Sequence, residues 1–141
     1  MVEIHGWITL RYSDYHGEEA PQREFVARFK QYLEQTGIWP GFAHLCQLTV
    51  YNGMECFTIT AQHNHPGQPF YPLEIFTWVA QESTGSYGLL HFHDHEDPAL
   101  HNEFQVYVLK RGKLIKAADT FLSPYFEEVE REYDELDPPR D

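Results

Sequence analysis

The sequence predicts an α+β fold: an antiparallel sheet of about five to six strands, two main helices on one face, and a short C-terminal helix. Three observations carry this. Residues 2–12, VEIHGWITLRY, alternate apolar and polar side chains, the period of a half-buried strand. Asn52-Gly53 separates two further alternating runs, a strong short-range signal for a tight hairpin, and a second hairpin turns near Arg111-Gly112. Only two long stretches show helical spacing, so strands follow one another in antiparallel pairs with few crossovers.

Taken in order, the first strand places Val2, Ile4, Ile8 and Leu10 on one face and Glu3, His5, Trp7, Thr9 and Arg11 on the other. SDYHGEEAP is a loop, and Pro21 stands near a helix start, where its missing N–H does no harm. Phe25, Val26, Phe29, Tyr32 and Leu33 then recur at helical spacing, and Gly37 supplies the stop. The hairpin spans 43–51 and 54–62. HNHPGQPFYP is a proline-rich loop, and PLEIFTWVAQEST is a second helix with Leu73, Phe76, Val79 and Ala80 inward. SYGLLHFH is a strand, and EFQVYVLKRGKLIKAAD the second hairpin. Ser123-Pro124 pairs a capping residue with a first-turn proline. It opens the short helix, with Tyr125, Phe126, Val129 and Tyr133 on one side. Phe25, Phe29, Leu48, Phe57, Leu90, Phe92, Val106 and Val108 are the expected core. Residues 1–136 read as a single domain and 137–141 as a frayed acidic tail.

The Asn52-Gly53 turn makes a sharp statement about the two cysteines. With those residues at the turn, Tyr51 faces Met54, Leu48 faces Phe57 and Cys46 faces Ile59. Cys56 then opposes Thr49, on the other face from Cys46, and the two thiols cannot bond. Both read as inert thiols of a reducing compartment. The N-terminus has no signal-peptide pattern and no stretch approaches the roughly 18 apolar residues of a membrane span, so a cytoplasmic protein is expected.

Charge narrows the function classes. The net charge is −12 at pH 7, which argues against direct nucleic-acid binding. It is unevenly spread: residues 127–141 hold eight acids and two bases. Such an excess serves solubility or fits a basic protein partner.

YGLLHFHDHEDP, residues 87–98, raises the question of a metal site. On a strand, His91, His93 and His95 share a face while Leu90 and Phe92 point to the core. Two imidazoles at this spacing can begin a zinc or iron site. A third ligand would have to come from His63, His65, His101, Glu96 or Asp97, and none stands at a committing distance in sequence. There is no GxSxG, no Gly-rich phosphate loop and no CxxC. No cofactor is expected.

Four stretches in succession resemble one family: HGWITLRYS, GSYGLLHFHDHED, VYVLKRGKL and ADTFLSPYFEEVE. Gly6-Trp7, Tyr87-Gly88-Leu89-Leu90, Asp119 and Phe121-Leu122-Ser123-Pro124 carry the likeness. It covers nearly the whole chain and is to the immunity protein 7 family of bacterial polymorphic toxin systems. The resemblance implies an α+β protein that binds and neutralises the toxin domain of its own cell or a sibling, as in contact-dependent inhibition, without catalysis. Relatives carry acidic and basic residues at the strand end where this chain has histidines. The resemblance therefore assigns His91, His93 and His95 to a variable polar surface.

Many such toxins are nucleases, basic because they bind phosphates, and an acidic inhibitor can steer toward them. The toxin-binding residues expected on this reading are His93, Asp94, His95, Glu96 and Asp97 at the strand end, then Glu127, Glu128 and Glu130 near the C-terminus. Trp7 is either an exposed anchor on the polar sheet face or, by preference, a core residue beneath a loop. Two rivals stand beside the inhibitor. One is a metal-dependent enzyme using His91, His93 and a distant ligand; the other is a general acidic adaptor or nucleic-acid mimic.

Overall fold

In the computed structural model, which describes residues 1–15, 18–63 and 72–140, the first strand lies at the centre of the sheet. β1 (Val2–Thr9) is flanked on one side by β3 (Met54–His63) and on the other by β4 (Tyr87–Asp94). Outside these lie β2 (Cys46–Tyr51), then β5 (Gln105–Lys110) and β6 (Lys113–Ala118), in the order β2-β3-β1-β4-β5-β6. Every pairing is antiparallel. α1 (Glu19–Gln35) links β1 toward the first hairpin through a four-residue turn, α2 (Ile38–Gly41). α3 (Pro72–Glu82) carries the chain from β3 past β1 to β4.

The expected hairpin register holds at all four stated pairs: Tyr51–Met54, Leu48–Phe57, Cys46–Ile59 and Thr49–Cys56. Asn52 and Gly53 both have positive φ, 51° and 81°, the twist a two-residue turn needs to match its strands. Both cysteines are free. Burial pushes the Cys46 thiol up to about 11 and raises Cys56 as well, so neither is an activated nucleophile.

One face of the sheet packs against α1 and α3. Val2, Ile4, Ile8, Leu10, Phe57, Ile59, Leu90 and Leu109 are buried there with Phe25, Phe29, Leu33, Ile75, Phe76 and Val79 from the helices. The Phe29 ring meets Phe57 edge-on at 5.2 Å, and Trp78 stacks on Tyr32 and Phe25 at 4.8 and 6.1 Å. Gly6 makes this packing possible. A Cβ there would come within 2.8 Å of Leu90 and 3.1 Å of the Phe76 ring, so the missing side chain is the space in which α3 seats its phenylalanine.

Three expectations change. Val106 and Val108 pair with His91 and Leu89 and so lie half-buried on the opposite face, while Tyr107 and Leu109 face the helices. The strand is apolar on both sides, and its composition does not reveal its phase. Trp7 is 38% exposed on the same open face, not in the core. The C-terminal helix reduces to one five-residue π turn, Tyr125–Val129, followed by extended backbone at Glu130, so Tyr133 shares no helix face with Tyr125. Ser123 offers it no cap; its hydroxyl accepts from the Phe104 N–H instead. The proline-rich stretch 64–71, with His65, lies outside the described residues.

Candidate functional site

Alternation along β1 and β4 decides where the histidines go. Glu3 pairs with His93 and His5 with His91 across the strands, all on the face that the helices leave open. Phe92 and Asp94, one residue out of phase, fall on the helix face opposite Ile4 and Val2. His91 is half-buried and His93 is 1% exposed.

Loop 95–104 and the C-terminal segment cover His93. Its Nε2–H donates to the His101 carbonyl at 2.8 Å; a carbonyl has no proton, so the ring must be the donor. Phe104 stacks on it at 4.3 Å, with Tyr125 at 5.0 Å and His95 at 4.2 Å. The covering segments are tied together by backbone. Asp119 N–H donates to the Phe104 carbonyl at 2.7 Å and Tyr125 N–H to the Asn102 carbonyl at 3.1 Å. Phe126 N–H donates to Asn102 Oδ1 at 2.7 Å, and Asp119 Oδ1 accepts from Phe121 N–H at 2.9 Å.

His95 joins the two halves of the predicted site. Its ring meets Tyr125 at 5.0 Å, which brings the strand end against the π turn. Burial lowers the His95 imidazole below its ordinary 6.5; His93 and the N-terminal ammonium push the same way, while Glu3 and Glu130 oppose. The Tyr125 hydroxyl donates to the Glu130 carboxylate, and that bond, with burial, raises the phenol.

The eight predicted residues therefore divide. His93 and Asp94 are buried, and Asp94 Oδ1 accepts from the Glu96 N–H at 2.9 Å, so both shape the strand end from beneath. His95 and Asp97 are partly exposed, with Asp97 Oδ1 holding the Ala99 N–H. Glu96, Glu127, Glu128 and Glu130 are exposed. Glu3, 2.8 Å from His5 Nε2, belongs to the same acidic end. Its signal in the sequence is that it lies on the polar face of β1, but only the pairing of β1 with β4 brings it beside His93.

Among the described residues, no group of three or more His, Cys, Asp or Glu side chains is placed to hold a metal ion. The constellation that the metal-enzyme reading needs is not assembled there: the His93 ring is engaged with the His101 carbonyl, Phe104 and Tyr125. Nor, among the described residues, is any helix long and apolar enough to cross a membrane.

At the other end the open face is uncovered. Trp7, Leu89, Val108 and Ile115 lie side by side across β1, β4, β5 and β6, and Thr9, Tyr87, Lys110 and Lys113 form the next row. Trp7 and Tyr87 meet edge-to-face at 6.1 Å and 88°. Gly88 sits beneath them. A Cβ at that position would lie 2.0 Å from the Trp7 carbonyl oxygen, so only glycine permits this approach of β4 to β1. A cleft of about 510 Å³ opens here, between the strands and the loops at Arg11–Asp14 and Thr84–Ser86.

What this face presents is charge and aromatic edges, a surface other molecules can bind. Comparison with known families makes the class specific. A model of the immunity protein 7 family matches residues 1–131, and the chain belongs to that family. Membership carries an immunity role, the binding of a toxin partner. No curated protein and no solved structure matches the chain. The residues that carried the resemblance now have structural work: Gly6 makes room for Phe76 and Gly88 lets β4 approach β1, Trp7 and Tyr87 line the cleft, and Asp119 and Ser123 hold the cover over His93.

Proposed function

We propose that this chain neutralises one bacterial toxin domain by covering its surface, making and breaking no bond of its own. The partner is basic, a nuclease whose phosphate-binding surface is cationic, and the encounter takes place in the cytoplasm. The observation that carries this is the position of the charge in a member of an immunity family. The acids of residues 127–137 are all exposed, and they begin within the π turn that packs against the strand end. Glu3, Glu96, Asp97, Glu127, Glu128 and Glu130 make one negative end, against which a basic surface would be drawn and oriented. Glu132 and the acids after it lie beyond the matched family region, a part of the chain free to suit one partner.

The test is co-expression with the toxin domain encoded by the neighbouring reading frame. The chain should rescue cells from that toxin and from no unrelated one. Glu127→Lys, Glu128→Lys and Glu130→Lys together should slow association by tenfold or more (~10-fold at low salt) and flatten its salt dependence. Unchanged association would remove this end from the interface. Turnover of a small molecule, lost with His91→Ala, would overturn the inhibitor reading.

A further inference from the structure

The cleft at the Trp7 end has the opposite electrostatic character to the rest of the molecule. Arg11, Lys110 and Arg111 line it, and Lys113 stands across from Lys110. Four of the chain's ten lysines and arginines thus gather at one place in a protein of net charge −12. Asp14 is the one acid in the lining. Among the described residues no carboxylate is ion-paired with Arg11, Lys110 or Arg111; Arg11 Nη2 reaches only the Tyr15 carbonyl, at 3.3 Å. The floor is apolar: Trp7, 38% exposed, and Tyr87, 46% exposed, with Leu89 and Val108 beside them.

From these observations we infer that the cleft is a second toxin-binding site, which takes a carboxylate-bearing segment of the toxin with an apolar or aromatic side chain beside the acid. The inference rests on the proposed toxin-inhibitor function. An aromatic floor gives a buried anchor of the kind that dominates binding energies, and a rim of two arginines and a lysine is suited to bidentate capture of a carboxylate. Nucleic acid would bring the same anionic chemistry, but a long polyanion is repelled by the net negative chain. A single carboxylate on an otherwise basic protein is not.

Distance supports one partner for both ends. From the Glu3 row to the Thr9 row is six residues of β1, roughly 20 Å at strand rise. A standard interface of about 800 Å² per partner spans that length. A toxin drawn to the acidic end therefore reaches the cleft without a change of docking pose. The two sites have opposite signs, so they also fix its orientation, because a rotated toxin would set like charges against each other.

The sign of one charge reversal separates this from general steering. In Lys110→Glu with Arg111→Glu each change removes two units, taking the chain from −12 to −16. If attraction to a basic toxin were the whole interaction, the variant would bind faster and no less tightly. If the cleft takes a carboxylate, affinity falls by about tenfold, mainly through faster dissociation. The measurement is binding kinetics of the neighbouring frame's toxin domain against wild type, this variant and Trp7→Ala, with thermal melts to confirm folding. Hydrogen exchange of the wild-type complex should show protection at 7–11, 84–89 and 108–111.

Unchanged or tighter binding by the charge-reversed chain, with no protection in those segments, overturns the cleft. Loss of affinity in both variants, with that protection in the wild-type complex, supports it. A wild-type chain that neither binds that toxin nor protects cells from it overturns the inhibitor reading, and the cleft's assignment with it.

Discussion

The two ends of the open sheet face share their strands and their alternation, yet they finish in opposite states. At the Glu3 end a polar residue, His93, is 1% exposed; at the Thr9 end a large apolar one, Trp7, is 38% exposed. Hydropathy would assign them the other way round. The difference lies in what returns to cover each end. Asn102 and Phe104 tie the segment 119–126 down over His93 through backbone hydrogen bonds and through the Asn102 and Ser123 side chains. Nothing among the described residues covers Trp7 in this way. Exposure on a sheet face follows the path of the chain beyond the strands, and the side left bare is the side available to a partner.

The largest effect should come from beneath the bare end. Gly88→Val places a Cβ where the Trp7 carbonyl already lies, 2.0 Å away. β1 and β4 must part, and no rotamer avoids a clash with backbone. A loss of about 3 kcal/mol or more is expected, read as a lower urea midpoint. A variant as stable as wild type would show that β1 and β4 do not meet in this register.

Next comes the cover itself. Tyr125→Ala removes the ring that meets His93, His95 and Phe104. The expected cost is about 1–2 kcal/mol, and amide exchange should quicken through 119–130 while 84–89 and 105–110 keep their protection. Equal loosening at both ends would show that the ends are not independent.

How far this contrast could be read in the sequence varies by element. Asn52-Gly53 specified its hairpin down to the opposed residues, because a two-residue turn leaves one register open. The phase of β1 was equally plain, since Val2, Ile4, Ile8 and Leu10 alternate with polar neighbours. β5 was not, because valines on one side and Tyr107 and Leu109 on the other give no polar phase. The helical spacing of Tyr125, Phe126 and Val129 became a single π turn that stops short of Tyr133. Tyr125 and Phe126 give their N–H groups to Asn102, 23 and 24 residues earlier, a partner no local pattern shows. The exposed acids at 127–130 were legible from composition. The cleft was not, because three separate stretches near residues 7–14, 84–89 and 108–111 meet only in the folded sheet.

Acidity should loosen the covered end alone. His95 in the folded protein binds a proton less readily than in the unfolded chain, because burial lowers its pKa from 6.5. Above that value its contribution is fully present; as pH falls through it toward the folded value, protonation favours the unfolded form and stability declines. The effect should be smaller than that of Tyr125→Ala, since the ring is partly exposed. Protection of 119–130, corrected for the intrinsic pH dependence of amide exchange, should fall as pH drops below 6.5, and His95→Gln should flatten that fall. A profile unchanged by the substitution would assign the pH dependence to other groups.

The smallest stability effect is expected where the binding effect is large. Trp7→Phe trims a ring that already borders a cleft of about 510 Å³, so the lost atoms leave no closed void and no cavity term follows. Phenylalanine keeps an aromatic edge toward Tyr87, and the melt should move by less than about 0.5 kcal/mol equivalent. Core phenylalanines differ: Phe76→Ala, against Gly6, would cost about 3–5 kcal/mol. If Trp7→Phe proved nearly as costly as that, the indole would be supporting the sheet rather than standing ready for a partner, and the bare end would be bare only in appearance. A silent melt, combined with weakened toxin binding, would separate the two roles in one residue.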